Sequence, residues 1–297
     1  MATTAMKTVE PFIDATPLLD EPELLRRRAS TDGFLFFSGL IDPERIFKLR
    51  REMLKTCRRY GWVKEGSEFM DGIAAPDIEM INFAPRAWGD FYNEILKLRS
   101  FHALSLEPNL LAACDRLFGE KTLPHSRNIA RLSFPQNEDY ATPPHQDHYY
   151  IGGSRRTWTA WIPCGHCPVA LGGLAVAKGS HHLGFLDTHK ATGAGGHAVE
   201  TGRDWVWGGG DYRCGDVIIC HSLAVHQAFP NTTGDQLRLS CDFRYQPVGD
   251  PVREDSLQPH MNWLTWEDVY ESWPDNDPLK YYWKCEDLNI VKQVKGR

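Results

Sequence analysis

Leu237-Arg238-Leu239-Ser240-Cys241-Asp242-Phe243-Arg244-Tyr245 alternates apolar and polar residues without a break. Side chains of an extended strand point to opposite faces in turn, so this run reads as a strand with two unlike faces. Arg127 to Phe134 and Thr157 to Ile162 show the same period, and Leu174 to Ala177 and Asp216 to Cys220 are short β-rich runs. Gly, Pro and Asn punctuate the gaps between them. Several short strands separated by turn signals indicate a sandwich or barrel.

Upstream the pattern changes. Residues 1 to about 17 read as a loose arm. Glu21-Pro22 to Arg28 is a helix candidate ended by Asp32-Gly33, and Phe34 to Phe37 is an apolar strand. Asp42-Pro43-Glu44 opens a second helix, with Asp as N-cap and Pro in the first turn. Ile46, Leu49 and Met53 share one of its faces, and Gly61 follows its end. Further helices are expected over Phe91 to Leu98 and over Glu107 to Phe118, stopped by Gly119. Helices followed by strands give an α+β class, with N-terminal helices packed on a β core. No internal repeat or linker divides the chain, so a single domain over 1–297 is expected.

The bulk numbers agree with an ordinary globular protein. The chain has 297 residues, 42% hydrophobic and 24% charged, with a net charge of -6. The acidic balance argues against nucleic-acid binding, which favours a basic domain. Arg26-Arg27-Arg28 and Arg58-Arg59 read as solvated helix faces. No apolar run approaches the length that spans a bilayer, and the first eight residues lack a secretory signal's apolar core. The expected location is cytoplasmic, with no membrane partner. Eight cysteines are too sparse for a disulfide scaffold and read mostly as buried thiols. No feature of the sequence fixes an oligomeric state.

Pro144-His145-Gln146-Asp147 and the distant His226 carry the chemistry. Two imidazoles and a carboxylate suit Fe(II) held on one face with open positions, whereas zinc favours a closed tetrahedral N/S set. In an extended stretch His145 and Asp147 share a face. Arg238, Ser240, Asp242 and Arg244 share a face of the downstream strand; a solvent-facing polar stripe is the plain alternative.

The ordered set of motifs resembles the phytanoyl-CoA dioxygenase family of Fe(II)/2-oxoglutarate oxygenases. It comprises Asp32-Gly33-Phe34, Gly39-Leu40-Ile41, His145-Gln146-Asp147, Gly172 to Ala177 with Gly179-Ser180-His181, Gly215-Asp216-Val217, His226, Pro230-Asn231 and Arg238. The resemblance runs from about residue 30 to 247. It implies a double-stranded β-helix, a jelly roll of the cupin kind, with flanking N-terminal helices. It makes His145, Asp147 and His226 the iron ligands and gives Arg238 the distal carboxylate of 2-oxoglutarate. Ser240 is a second donor, and one of Asn128, Arg131 and Ser133 is expected to touch the cosubstrate. Trp158, Trp161 and Tyr150 are candidates to line the pocket, with core packing the favoured role for either tryptophan.

The implied reaction consumes 2-oxoglutarate and O2, releases succinate and CO2, and hydroxylates a small-molecule substrate; ascorbate supports such enzymes in vitro. Asp147 argues against a halogenase, since related halogenases lack this carboxylate. Desaturation, epimerisation and ring rearrangement remain open outcomes. The alternatives from other classes are a non-catalytic metal-binding jelly roll and a zinc hydrolase.

Cys164-Gly165-His166-Cys167 has the spacing of a redox pair or half a zinc site, but Pro168 and Gly172-Gly173 stand where a redox motif needs a helix. Two buried thiols is the default. A glycine-rich insertion, placed at residues 190–213, reads as a lid or a surface excursion. The aromatic residues of 248–297 are expected to pack back on the body beside the site.

Overall fold

A computed structural model describes residues 8–76, 85–135, 140–201 and 204–292. The first strand, β1, is Thr8–Glu10. Helix α1 (Pro22–Asp32) ends at Gly33, whose left-handed φ of 78° lets its N–H reach the Ala29 carbonyl. Strand β2 (Phe34–Phe37) follows directly. Helix α2 (Pro43–Arg59) is capped by the Asp42 carboxylate, which accepts from Glu44 N at 3.0 Å, and buries Ile46, Leu49 and Met53. Helix α3 (Pro85–Leu96) begins earlier than the pattern suggested. Extended backbone at Leu98 separates it from a short helix, α4 (Arg99–Ser105), which the sequence reading did not separate. Helix α5 (Pro108–Phe118) stops at Gly119 as expected.

Strands dominate from there. They are β3 (Thr122–Pro124), β4 (Ile129–Ser133), β5 (Trp158–Pro163), β6 (Leu174–Ala177), β7 (Thr188–Lys190), β8 (His197–Val199) and β9 (Val206–Gly208). β10 (Val217–His221), β11 (His226–Ala228), β12 (Arg238–Pro247), β13 (Val252–Arg253) and β14 (Ile290–Val291) follow. A single helical turn, α6 (His148–Ile151), precedes β5, and α7 (Trp266–Tyr270) lies in the C-terminal segment. None of the helices among the described residues is long and apolar enough to cross a membrane.

Two sheets form the jelly roll. The larger runs β2-β10-β5-β12-β3, with β4 also on β12; the smaller runs β1-β9-β6-β11. Alternation along β12 sorts its residues as the opening stretch implies. Leu239, Cys241, Phe243 and Tyr245 join the core beneath the helices, with Trp158, Ala160 and Ile162 of β5 and Leu35 and Phe37 of β2. Arg238, Ser240, Asp242 and Arg244 take the other face, yet all four are buried. The stripe is therefore not solvent-facing: it lines the inside of the roll. Phe34, Phe36, Trp161 and Ile218 meet Leu174 and Val176 of the smaller sheet on that inner side.

Three expectations need correction. The arm is not loose from Thr8 onward: β1 pairs in parallel with β9, Phe12 stacks on Phe36 at 4.9 Å, and Ala15 N donates to Phe36 O at 2.7 Å. Residues 1–7 lie outside the described residues. The 190–213 insertion is not one structureless loop. β7 and β8 form a hairpin whose tip, Ala194–Gly195, walls a cavity, and β9 joins the smaller sheet. Trp207 fills its core with Ala175, Ala177 and Val225; residues 202–203 are outside the described set. Finally, Trp158 points toward the helices, so it is a core residue and not a pocket wall.

The C-terminal segment packs back as expected. Trp266, Tyr270, Trp273 and Trp283 bury together with Leu123, Val252 and Leu257. Trp273 Nε1 donates to Lys97 O at 2.9 Å, tying the segment to the turn after α3. Its last residues, 293–297, lie outside the described set.

Candidate metal centre and cavity

His145, Asp147 and His226 converge, each offering a ligand atom within 4.8 Å of the others, and all three are buried. The stretch is not extended throughout. His145 forms an isolated bridge with His226, and Asp147 then turns into α6 with helical backbone angles (φ -61°, ψ -28°). His226 opens β11, so the bridge brings the two imidazoles to a centroid separation of 4.2 Å. Asp147 Oδ1 lies 3.7 Å from His145 Nε2 and 3.9 Å from His226 Nε2.

The hydrogen bonds orient these groups. His145 Nδ1 meets Pro143 O at 2.8 Å and His226 Nδ1 meets Ala224 O at 3.0 Å. A carbonyl only accepts, so each Nδ1 carries the proton and each Nε2 presents a lone pair. Burial, with His145 beside it, presses His226 down to about 4, so its ring is neutral at ordinary pH. Burial opposes ionisation of Asp147. The Arg244 guanidinium outweighs it and holds the carboxyl well below its usual range. Three lone-pair donors thus face one point with no donor hydrogen among them. That arrangement fits a divalent cation, and the N,N,O set suits iron.

Gln146, between the two, serves the scaffold. It is fully buried; its amide donates to Gly184 O and Leu223 O at 2.8 and 2.7 Å and accepts from Leu186 N at 2.8 Å. Thr159 on β5 donates to Asp147 Oδ2 at 2.5 Å.

A recess behind the cluster is lined by Thr159, Trp161, Leu174, Cys220, Arg238 and Asp242. Arg238 is buried there. Its Nη1 donates to Gly172 O at 2.7 Å, its Nε has no partner, and no carboxylate pairs with it among the described residues. Burial pulls its pKa down, as expected for a cation waiting for a counterion. Trp161 flanks it, with the guanidinium carbon 5.9 Å from the ring centroid. Ser240, two residues on, is buried with an unpartnered Oγ. The recess therefore offers a dicarboxylate both a cation and spare donors.

In front lies a cavity of about 430 Å³. Arg131, Ser133, Tyr150 and Arg238 border it, with His145 and Asp147 at its base. Arg131 is spent on Asp242, to which its Nε donates at 2.6 Å. Asn128 is elsewhere: its amide faces His102 and Ser105 of α4, so the candidate role in cosubstrate contact is withdrawn. Cys164 and Cys167 are buried free thiols, the default reading of that motif.

The sequence reading missed Thr159, Gln146 and the roles of Asp242 and Arg244. Alternation already placed Arg244 and Asp242 with Arg238. Thr159 lies two residues from Trp161 on the same face. His260 and Tyr92, also at the cavity, gave no local signal.

A jelly roll with this cluster at its mouth defines a class, the Fe(II)- and 2-oxoglutarate-dependent oxygenases acting on small molecules. Within it the chain belongs to the phytanoyl-CoA dioxygenase (PhyH) family, whose profile matches residues 29–240. The chain is similar to the 1-deoxypentalenic acid 11-beta-hydroxylase of Streptomyces arenae, 28% identical over 268 residues, covering 85% of this chain and 90% of the relative. The Streptomyces exfoliatus enzyme of the same name is 29% identical with the same coverage. Among solved structures, the epimerase SnoN, in complex with Fe3+, alpha-ketoglutarate and nogalamycin RO, superimposes with a TM-score of 0.58 at 21% identity, over 78% of this chain and 86% of that one. The carbocyclase SnoK gives 0.53 at 18% identity, over 78% and 88%. These two likenesses concern the fold.

Proposed function

We propose that this protein hydroxylates a small-molecule substrate, with His145, Asp147 and His226 holding Fe(II) and Arg238 holding 2-oxoglutarate. The observation that carries the assignment is the convergence of three buried lone-pair donors beside an unpaired buried arginine. The names of the two Streptomyces relatives support hydroxylation as the outcome. When bound, iron and 2-oxoglutarate supply O2-dependent oxidation of a substrate C–H bond, coupled to decarboxylation of the cosubstrate to succinate and CO2.

The chain's own residues bind, orient and exclude water. Asp147 takes a third metal position, which disfavours halide there. Arg238 meets the distal carboxylate of 2-oxoglutarate with a planar fork, and Ser240 is placed to add a hydroxyl. Trp161 and Leu174 keep that recess dry, which strengthens the charge pairing. Tyr150 and the Ala194–Gly195 tip border the outer cavity, where substrate enters, and Tyr150 Oη steadies the tip by donating to Gly195 O at 3.1 Å. The whole chain, 1–297, acts in this reading as one domain. Its free cysteines support a reducing, cytoplasmic setting, and the net charge of -6 argues against a nucleic-acid partner.

The test is succinate formation from 2-oxoglutarate under Fe(II), O2 and ascorbate. Turnover lost in His145→Ala and His226→Ala supports the reading. Undiminished succinate or Fe(II) binding in those variants overturns it.

A further inference from the structure

The outer cavity has a second cationic end, remote along β12 from Arg238. Arg244 is buried there with an Nε that no group satisfies among the described residues, and its Nη2 stands 3.6 Å from Asp147 Oδ1, the oxygen turned toward the metal point. Arg127 joins it at the cavity wall. A bulge puts it there. Pro124 pairs with Tyr245 and Ile129 with Asp242, so four residues, 125–128, face only two on β12. Bulges re-aim side chains beside active sites.

These cations are short of counterions. Asp255 is the carboxylate nearest Arg127, but two bonds from Arg253, at 2.9 and 2.5 Å, already hold it. Arg127 Nη1 reaches it only at 3.3 Å. Asp242 is engaged by Arg131. His260 lines the same end, with Nδ1 2.7 Å from Tyr92 Oη. Burial and the flanking Arg127, Arg244 and Arg131 hold its ring neutral, so it adds no further positive charge and offsets none. Among the described residues four arginines border the cavity, with three carboxylates on or beside it, Asp147, Asp242 and Asp255, the last already held by Arg253. A divalent metal and a dianionic cosubstrate cancel one another. At least one positive charge is then left over among the described residues, which is unfavourable away from water unless an anion arrives. The other walls are apolar: Ile129, Leu132, Phe134, Ile151, Phe229 and Met261.

We propose that Arg127 and Arg244, with His260 and Tyr92 beside them, seat a single carboxylate of an otherwise apolar substrate. The apolar frame then lies along the cavity, and the anchored acid fixes which carbon faces the metal point. This deepens the oxygenase reading and rests on it for the word substrate; the binding itself needs no iron.

The test uses the metal-free chain with 1-adamantanecarboxylic acid and its methyl ester, followed by calorimetry. The acid is expected to bind at least tenfold tighter than the ester. Arg127→Gln should bring the two within about twofold, Arg127→Lys should restore most of the gap, and Arg238→Gln should keep it. Equal binding of acid and ester by the unmodified chain overturns the proposal. So does a gap that survives Arg127→Gln, or one lost in Arg238→Gln, which would put the acid in the cosubstrate's place. If Arg127→Gln fails to fold, the unmodified and Arg238→Gln comparisons still decide. A discriminating chain that makes no succinate with iron would instead sink the oxygenase reading and leave this subsite standing.

Discussion

Thr159 and Asp147 divide the work of one carboxylate. Thr159 Oγ1 donates to Oδ2 at 2.5 Å, which leaves Oδ1 as the oxygen facing His145, His226 and Arg244. Groups that orient a metal ligand in this way typically contribute a factor of about 10–100 in metal affinity. Thr159→Val keeps the shape and removes the donor. Its Fe(II) affinity, titrated without oxygen, is expected to fall by about that factor while the fold persists.

Arg238 donates to the Gly172 carbonyl in the inner recess, and it lacks a carboxylate among the described residues. A hydrogen bond to a charged group contributes about 1.5–3 kcal/mol. Arg238→Gln is therefore expected to raise the KM for 2-oxoglutarate by roughly 10- to 150-fold. Succinate release measured against 2-oxoglutarate concentration gives the number. An unchanged KM would move the cosubstrate elsewhere.

Gly172 supports that arginine by its backbone. It sits at φ 88°, and a Cβ there would lie 2.6 Å from Phe229 O. Gly172→Ala is expected to lower stability by about 1–3 kcal/mol. It should also weaken 2-oxoglutarate binding with no charge removed, because the displaced carbonyl is the one Arg238 donates to. Denaturant melts and the same KM assay check both effects.

Acid should destabilise the metal-free protein earlier than its carboxylates would predict. Burial holds His102 and His125 at about 4, well below the ordinary imidazole value of about 6.5. Between those values the unfolded chain binds more protons than the folded one, so stability rises with pH across the window. The melting temperature is expected to fall steadily from pH 6.5 to 4. His102→Gln should flatten part of that slope. A flat profile in the unmodified protein would refute the account.

Trp158 separates packing from function. It is 6% exposed and lies under the helices. Trp158→Ala is expected to lose about 3–5 kcal/mol of stability with the KM for 2-oxoglutarate unchanged. Trp161, three residues on and on the opposite face, should show the reverse emphasis.

Local rules carried much of this in the sequence. Period-two alternation on β12 sorted Arg238 and Asp242 from Leu239 and Phe243, and cap chemistry at Asp42, Gly33 and Gly119 located helix ends. What alternation could not give was the fate of the polar face. Whether Ser240 meets water or a cavity depends on the second sheet, which is assembled from strands distant in sequence. Asn128 was misplaced because the bulge before β4 shifts the face on which a residue lands, and Trp158 could not be sorted from Trp161 because a tryptophan suits either side of a buried strand. The turn at Asp147 was hidden because a helix of four residues has no periodicity to read.

Seven of the eight cysteines are buried and Cys285, in the aromatic C-terminal segment, is exposed. A maleimide applied to the native protein thus has a single address, and the same reagent gains seven more when the chain opens. The protein carries its own unfolding counter: the number of labels per molecule, read by mass, reports how much of the population has opened. The one native label marks the segment whose Met261 and His260 wall the outer cavity.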